Sequence, residues 1–304
     1  MSPEKRSALI GYLALAATVL LWSAWIVYTR QGVQHALPIA VIAFVRMLVP
    51  ALLLAPLTWR VGIFGRGHPL ALFFCILGAG LPHIFLSATG LRYAGAAEFG
   101  AVVLGTFPIF VALLSLLLFK EKFGWFRMAG LVCTVAGVLA IAQNDLFSGG
   151  ANANFGHFVF LLVALNYAGY TIGFRHSGLT PFEATGLVAF WSLLFILPFG
   201  LMPTIELARS GYAGEIAFQA VLQGVFSNLI GLATFSEGVR RLGSSRSAAF
   251  TALVPVVATL MAIPVLGEWP DGWAITGVIF ASIGVVLASG ILALSEKPGR
   301  TTAG

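Results

Sequence analysis

The chain is predicted to be an all-α integral membrane protein of about ten transmembrane helices, built as two inverted five-helix repeats. Three observations predict this. Apolar residues make up 59% of the 304 and charged residues only 9%; ten apolar runs follow one another; and the second half repeats the first. An ordinary soluble domain carries roughly a quarter charged residues. With a mean hydropathy of +0.96, this chain takes lipid as its solvent.

A spanning helix needs about 20 mostly apolar residues. Runs near that length fall at Ala8–Tyr28, Leu37–Leu57, Leu70–Leu91, Ala97–Phe119 and Trp125–Ala142. Five more fall at Phe155–Phe174, Pro181–Pro203, Ile216–Val239, Ser247–Leu266 and Trp273–Leu294. The breaks between them are short and carry turn and charge signals, as at Arg60–His68, Lys120–Gly124 and Gln143–Asn154. The first run follows Lys5 and Arg6, as a secretory signal does. Its length, and the second span directly after it, make it a retained signal-anchor. Cys75 and Cys133 sit inside apolar runs without CxxC or Cys/His spacing. They predict no disulfide, metal site or cofactor.

Placing the amino terminus inside puts Lys5, Arg6, Arg60, Arg66, Lys120, Lys122, Arg127, Arg175, Arg240, Arg241, Arg246, Lys297 and Arg300 on the inner side. Only Arg30, Arg92 and Arg209 lie outside, thirteen against three. Short loops rich in Lys and Arg stay in the cytoplasm. The count therefore predicts a multi-pass protein of the inner (cytoplasmic) membrane with both termini cytoplasmic. It also explains the basic balance without nucleic acid as a partner.

Shifting the chain by 147 positions superposes Ala101 on Ala248, Pro108 on Pro255, Leu113 on Leu260, Glu121 on Glu268, Gly130 on Gly277 and Gly137 on Gly284. Proline and glutamate are scarce here, so those matches carry the most weight. The repeat divides the chain into residues 1–145 and 146–304. Five spans per copy is an odd number, so the second copy enters the membrane upside down. Many secondary transporters have this architecture and bind substrate near the midplane between the halves. Helix-packing motifs common to any polytopic protein are the alternative explanation.

Several stretches carry a family resemblance: LLWSAW from Leu20, AFVRML from Ala43, and LRYAGAAEFGAVVLGTFPIFVALLSLLLFKE from Leu91 to Glu121. A degenerate copy of the last ends VPVVATLMAIPVLGE at Glu268. In these the chain resembles the EamA-like transporters of the drug/metabolite transporter superfamily, over nearly its whole length. The resemblance implies a cavity lined by spans 1, 3, 4, 6, 8 and 9. In aromatic amino acid exporters of this type an aromatic of span 3 lines the cavity; the corresponding residue here is His83. A tryptophan position in span 6 corresponds to Tyr167, and one before the span 4 proline to Phe107. With those differences the resemblance does not bring an aromatic amino acid substrate with it.

Polar groups in hydrocarbon are costly and usually face the bundle interior or a cavity. At about 1.5 Å per residue, Asn166 and Asn228 fall near the middles of spans 6 and 8. Each offers donors and an acceptor suited to a zwitterion or a sugar, or else an interhelical hydrogen bond. Tyr167 and Tyr170 share a face with Phe174, as stacking aromatics or as packing. Trp22 is assigned to the cavity, although an aromatic belt near the membrane surface competes for Trp22 and Trp25. His83 and Ser87 are four apart on one face; His83 offers proton coupling or a plain hydrogen bond to a carbonyl or to Ser87. Arg46, deep in span 2, needs a partner and is read as structural, against a carboxylate-attracting role. Glu121 and Glu268, between spans, are read as structural carboxylates at helix amino termini. Glu98, with Arg30 and Arg92, is an outer rim or gate. Pro108 and Pro255 interrupt their helices and are hinge candidates, or static kinks.

The expected function is a secondary transporter moving small polar metabolites, amino acids or related compounds, outward by alternating access. Its partners are then the small-molecule substrate and membrane lipid, and it acts as a monomer or weak homodimer. A lipid or lipid-linked-sugar flippase of the same fold is the alternative, and would show a groove open to lipid. A membrane-embedded enzyme fits less well: no HExxH or GxSxG motif occurs, and no catalytic residue is assigned.

Overall fold

A computed structural model of the chain describes residues 3–32, 37–65, 67–90, 93, 99–120, 124–147, 151–266, 269 and 272–289. Helices occupy all ten predicted segments, and no strand occurs among the described residues. Span 1 is α1 (Pro3–Gly32). Span 2 is α2 (Ile39–Leu53) with α3 (Ala55–Val61), and span 3 is α4 (Pro69–Ala79) with α5 (Leu81–Gly90). A π-helical turn at Gly100–Leu104 leads into α6 (Gly105–Phe119), span 4, and α7 (Trp125–Phe147) is span 5. Spans 6 and 7 are α8 (Ala151–His176) and α9 (Pro181–Leu207). Span 8 joins α10 (Ala213–Gln219), a π-helical stretch at Ala220–Ile230, and α11 (Gly231–Leu242). Span 9 is α12 (Ser244–Thr251) with α13 (Leu253–Leu266), and span 10 is α14 (Gly272–Ser289).

Among the described residues, six helical runs are long and apolar enough to cross a membrane: those of spans 1, 3, 4, 6 and 9, and one that joins spans 7 and 8. Most of the difference from ten has local causes. Span 2 is bent by 68° between α2 and α3, with Pro56 in the first turn of α3. Spans 7 and 8 form one helical run, 181–242, kinked at Gly211 with φ 97°, a conformation that a side chain would disfavour. In span 5 the apolar helix is the shorter Met128–Gly137.

Proline sets most of the other breaks. It has no N–H for the carbonyl four residues back, and its ring collides with that carbonyl. Four residues before Pro108 stands Leu104, the end of the π turn; four before Pro255 stands Thr251, the end of α12. These two breaks are 147 positions apart (251 − 104), the offset of the sequence repeat. Four before Pro82 is Gly78, beside the break at Gly80. Four before Pro50 is Arg46, yet α2 continues through it.

The spans pack in a two-fold pattern. Span 1 lies against spans 8 and 9, and span 6 against spans 3 and 4; spans 2 and 7 pair, as do spans 5 and 10. Each relation maps onto another, or onto itself, when the halves are exchanged. Glycines permit the closest approaches: a Cβ on Gly284 of span 10 would stand 2.7 Å from the Gly130 carbonyl oxygen of span 5. Small residues at helix contacts serve this purpose in membranes, where no hydrophobic force separates helix from lipid. Leu13, Leu20, Phe195 and Phe199 stand among many large apolar residues on the outside, as a lipid-facing surface requires. The buried core joins spans 1, 3, 4, 6 and 8 through Leu15, Cys75, Phe107, Val163, Tyr170 and Phe235.

Candidate functional site

Tyr167 of α8 stands at the centre of an aromatic cluster. Its ring centroid lies 5.8 Å from Trp22, 5.2 Å from His83, 5.2 Å from Phe107, 5.5 Å from Tyr170 and 5.6 Å from Phe235. Spans 1, 3, 4, 6 and 8 therefore each send a ring to one place. The Tyr170 hydroxyl and Ser236 Oγ are 2.5 Å apart and buried. Trp22 Nε1 donates to the Ser227 carbonyl at 3.2 Å.

That carbonyl belongs to the π-helical stretch of span 8, which also holds Arg46. Arg46 Nη1 donates to Gln223 Oε1 at 2.8 Å and to Ser227 Oγ at 3.2 Å. Its guanidinium carbon lies 5.7 Å from the centroid of the Trp25 ring, within cation–π range. Gln223 Nε2 in turn donates to Gln219 Oε1 at 3.4 Å, and Gln219 Nε2 to Glu215 Oε1 at 3.2 Å. A polar file thus runs from the start of span 8 to the arginine. π-Helical segments are uncommon and recur at functional sites; here one sets Gln223, Ser227 and Asn228 against span 2.

Both asparagines donate to a carbonyl that the facing helix leaves without its backbone donor. Pro50 cannot donate to the Arg46 carbonyl, and Asn228 Nδ2 donates to it instead, at 3.1 Å. The break at Gly80 separates Leu81 from the Leu77 carbonyl; Leu81 N–H donates to Ser192 Oγ at 3.2 Å. Asn166 Nδ2 takes its place at Leu77, at 2.9 Å. In a membrane, backbone groups freed by proline or glycine must find such partners.

Four buried polar atoms of this region have no partner: Arg46 Nε, Trp25 Nε1, His83 Nδ1 and the Tyr167 hydroxyl. An unmade hydrogen bond of a buried group costs about 1–3 kcal/mol, so such atoms are rare. The four belong to one group: Arg46 lies over Trp25, His83 and Tyr167 are in ring contact, and the Arg46 charge reaches both. The other unpartnered atoms among the described residues are single hydroxyls of Thr58, Ser115, Thr134, Ser244 and Ser245. The arrangement offers aromatic walls, a buried cation and unused donors.

Of the residues expected to bind substrate, the structure brings together Trp22, His83, Phe107, Tyr167 and Tyr170, with Asn228 beside Arg46. Asn166 lies one residue before Tyr167, on α8. Ser87 donates to the His83 carbonyl at 2.7 Å. Pro108 follows the clustered Phe107, and Pro255 adjoins Val254, whose carbonyl accepts from Ser23 Oγ at 3.0 Å. Glu98, Glu121, Glu268 and Arg92, and the side chain of Arg30, lie outside the described residues. The sequence reading did not select Trp25, Gln223, Ser227, Phe235 or Ser236. Gln219, Gln223 and Ser227 recur every four residues in an apolar span, a polar stripe that signals an interior face.

Elsewhere, a groove of about 450 Å³ runs between α6 and α7, lined by Ile109, Leu113, Leu116, Met128 and Val132 among other apolar residues. It contains no group that could bind a charged ligand.

These features define a multi-pass helical membrane protein whose scarce polar side chains converge among spans of both halves. The chain belongs to the EamA-like transporter family, whose model matches it twice, over residues 9–143 and 154–290. An uncharacterized transporter of Archaeoglobus fulgidus is 24% identical over 91% of this chain and 96% of its own length. A probable terminal-alkyne amino-acid exporter of Streptantibioticus cattleyicolor is 26% identical over 94% and 97%. A probable amino-acid metabolite efflux pump of Salmonella typhimurium is 25% identical over 91% and 93%. A crystal structure aligns with 96% of this chain and 99% of its own at a TM-score of 0.69 and 19% identity. That likeness shows the fold.

Proposed function

We propose that this chain exports small polar metabolites, amino acids or close relatives, across the cytoplasmic membrane by alternating access between its halves, residues 1–145 and 146–304. The observation that carries the proposal is the convergence of five spans on Tyr167, with Arg46 and three further unpartnered polar groups around it. A site between two-fold related halves is exposed to one side or the other as the halves rock. One relative is named a probable terminal-alkyne amino-acid exporter and another a probable amino-acid metabolite efflux pump, which supports the substrate class. At the end of span 8, Glu237 accepts from Arg240 at 2.8 and 2.7 Å and from Arg241, and Arg241 donates to Ser7 Oγ of α1 at 3.0 Å, which ties span 8 to span 1. The groove between α6 and α7 is apolar throughout, which favours a metabolite carrier over a flippase needing a track for a headgroup.

The test is a transport screen of the twenty amino acids in proteoliposomes, with Tyr167→Ala and Trp22→Ala beside the wild type. Transport of at least one amino acid, reduced about tenfold or more in both variants, is expected if each ring supplies roughly 1.5–3 kcal/mol of burial. Unchanged transport in both variants would remove the site. An imposed pH gradient that drives uptake in the wild type and not in His83→Gln would establish the proton role of His83; indifference to the gradient would dismiss it.

A further inference from the structure

The central group is one-sided in its chemistry. Arg46 carries a full positive charge, and its hydrogen bonds go to neutral side chains, Gln223 and Ser227. No carboxylate is paired with it among the described residues: Glu183 caps α9 through Thr180, Glu215 bonds Gln219, and Glu237 bonds Arg240 and Arg241. A buried charge ordinarily requires an opposite charge beside it. Of the four partnerless atoms, Arg46 Nε and Trp25 Nε1 can only donate, while the Tyr167 hydroxyl and His83 Nδ1 can each do either. Nothing in the group offers an acidic side chain to an ammonium. The bound partner that completes this arrangement is an anion.

We propose that the transported molecule is a monocarboxylate held through its carboxylate by Arg46 Nε and Trp25 Nε1, with its body against Tyr167 and Trp22, and that an α-amino group is dispensable. Gln223 and Ser227 act as positioning residues: they hold Nη1 and thereby fix which edge of the guanidinium is left open. Planar carboxylates suit the guanidinium edge. The aromatic walls suit an apolar or planar body. The inference rests on the transport proposal and specifies which part of the substrate is recognised.

Binding to the purified full-length chain in nanodiscs tests it, read as tryptophan fluorescence and as thermal shift. The ligands are two matched sets: leucine, leucinamide and 4-methylpentanoate; phenylalanine, phenylalaninamide and 3-phenylpropanoate. In at least one set the acids should bind about tenfold or more tighter than the amide, the worth of a charge-assisted hydrogen bond, and the desamino acid should bind as well as the amino acid. Arg46→Gln should abolish the preference, and Arg46→Lys should keep part of it. Gln223→Leu should weaken both acids while leaving the amide unchanged. Should Arg46→Gln not fold, the acid-to-amide ratio of the wild type and of Arg46→Lys decides. An amide binding as tightly as its acid, or a desamino acid that does not bind beside an amino acid that does, would overturn the carboxylate proposal and leave transport standing. Absence of binding by all six compounds, together with no transport of any amino acid, would overturn both.

Discussion

Asn228 stands where Pro50 makes it necessary. The proline leaves the Arg46 carbonyl without a donor inside hydrocarbon, and the asparagine, 182 positions away in sequence, supplies one. Asn228→Ala should therefore destabilise the folded protein by about 1–3 kcal/mol, seen as a lower unfolding temperature in detergent. Pro50→Ala restores the backbone N–H, so the same asparagine replacement should cost less on that background. Additive effects of the two changes would refute this account of the pair. Sequence depth alone identified Asn228, Asn166 and His83 as interior polar groups. Their partners were not legible, because each is set by which helix lies opposite. Arg46 is the plainest case: an arginine at that depth demands a partner, and only packing names Gln223, 177 positions away.

Proline chemistry made much of the element scale readable in advance. A residue without an N–H disturbs the chain at the carbonyl four positions back, and the breaks at Leu104 and Thr251 lie there for Pro108 and Pro255. The paired breaks flank the site on spans 4 and 9, where two halves rocking against each other would bend. Pro108→Ala should straighten span 4. The expected result is turnover reduced several-fold in proteoliposomes with ligand binding unchanged, and an unfolding temperature equal to or above wild type, since alanine is the better helix former by up to about 3 kcal/mol. Unaltered turnover would make the kink static. The π-helical stretch at Ala220–Ile230 had no such forewarning. It contains no proline, and its widening is decided by what Gln223, Ser227 and Asn228 bond across the interface. The breaks in spans 2 and 3, each expected as one run, have Pro56 and Pro82 beside them, yet hydropathy averages over such a break.

For the molecule as a whole, the charge count predicts that both termini face the cytoplasm, and the Arg241–Ser7 contact ties the chain's start to the end of span 8. With Cys75 and Cys133, both free thiols, replaced by serine, Ser7→Cys in inside-out vesicles should react with a membrane-impermeant maleimide, and in right-side-out vesicles it should not. Adding Arg241→Ala should raise the labelling rate by freeing the start of α1. Labelling from the outer face would reverse the topology and, with it, the export direction.

Composition and hydropathy were enough for the class and the ten helical segments, because both depend on how single residues partition between water and lipid, a local property. Which rings meet at Tyr167, that Arg46 meets no counter-charge among the described residues, and that two asparagines cap carbonyls left without a backbone donor all depend on contacts between residues far apart in the chain. Side-chain chemistry states what each group needs, and the folded packing decides whether another helix meets that need or leaves it for a ligand.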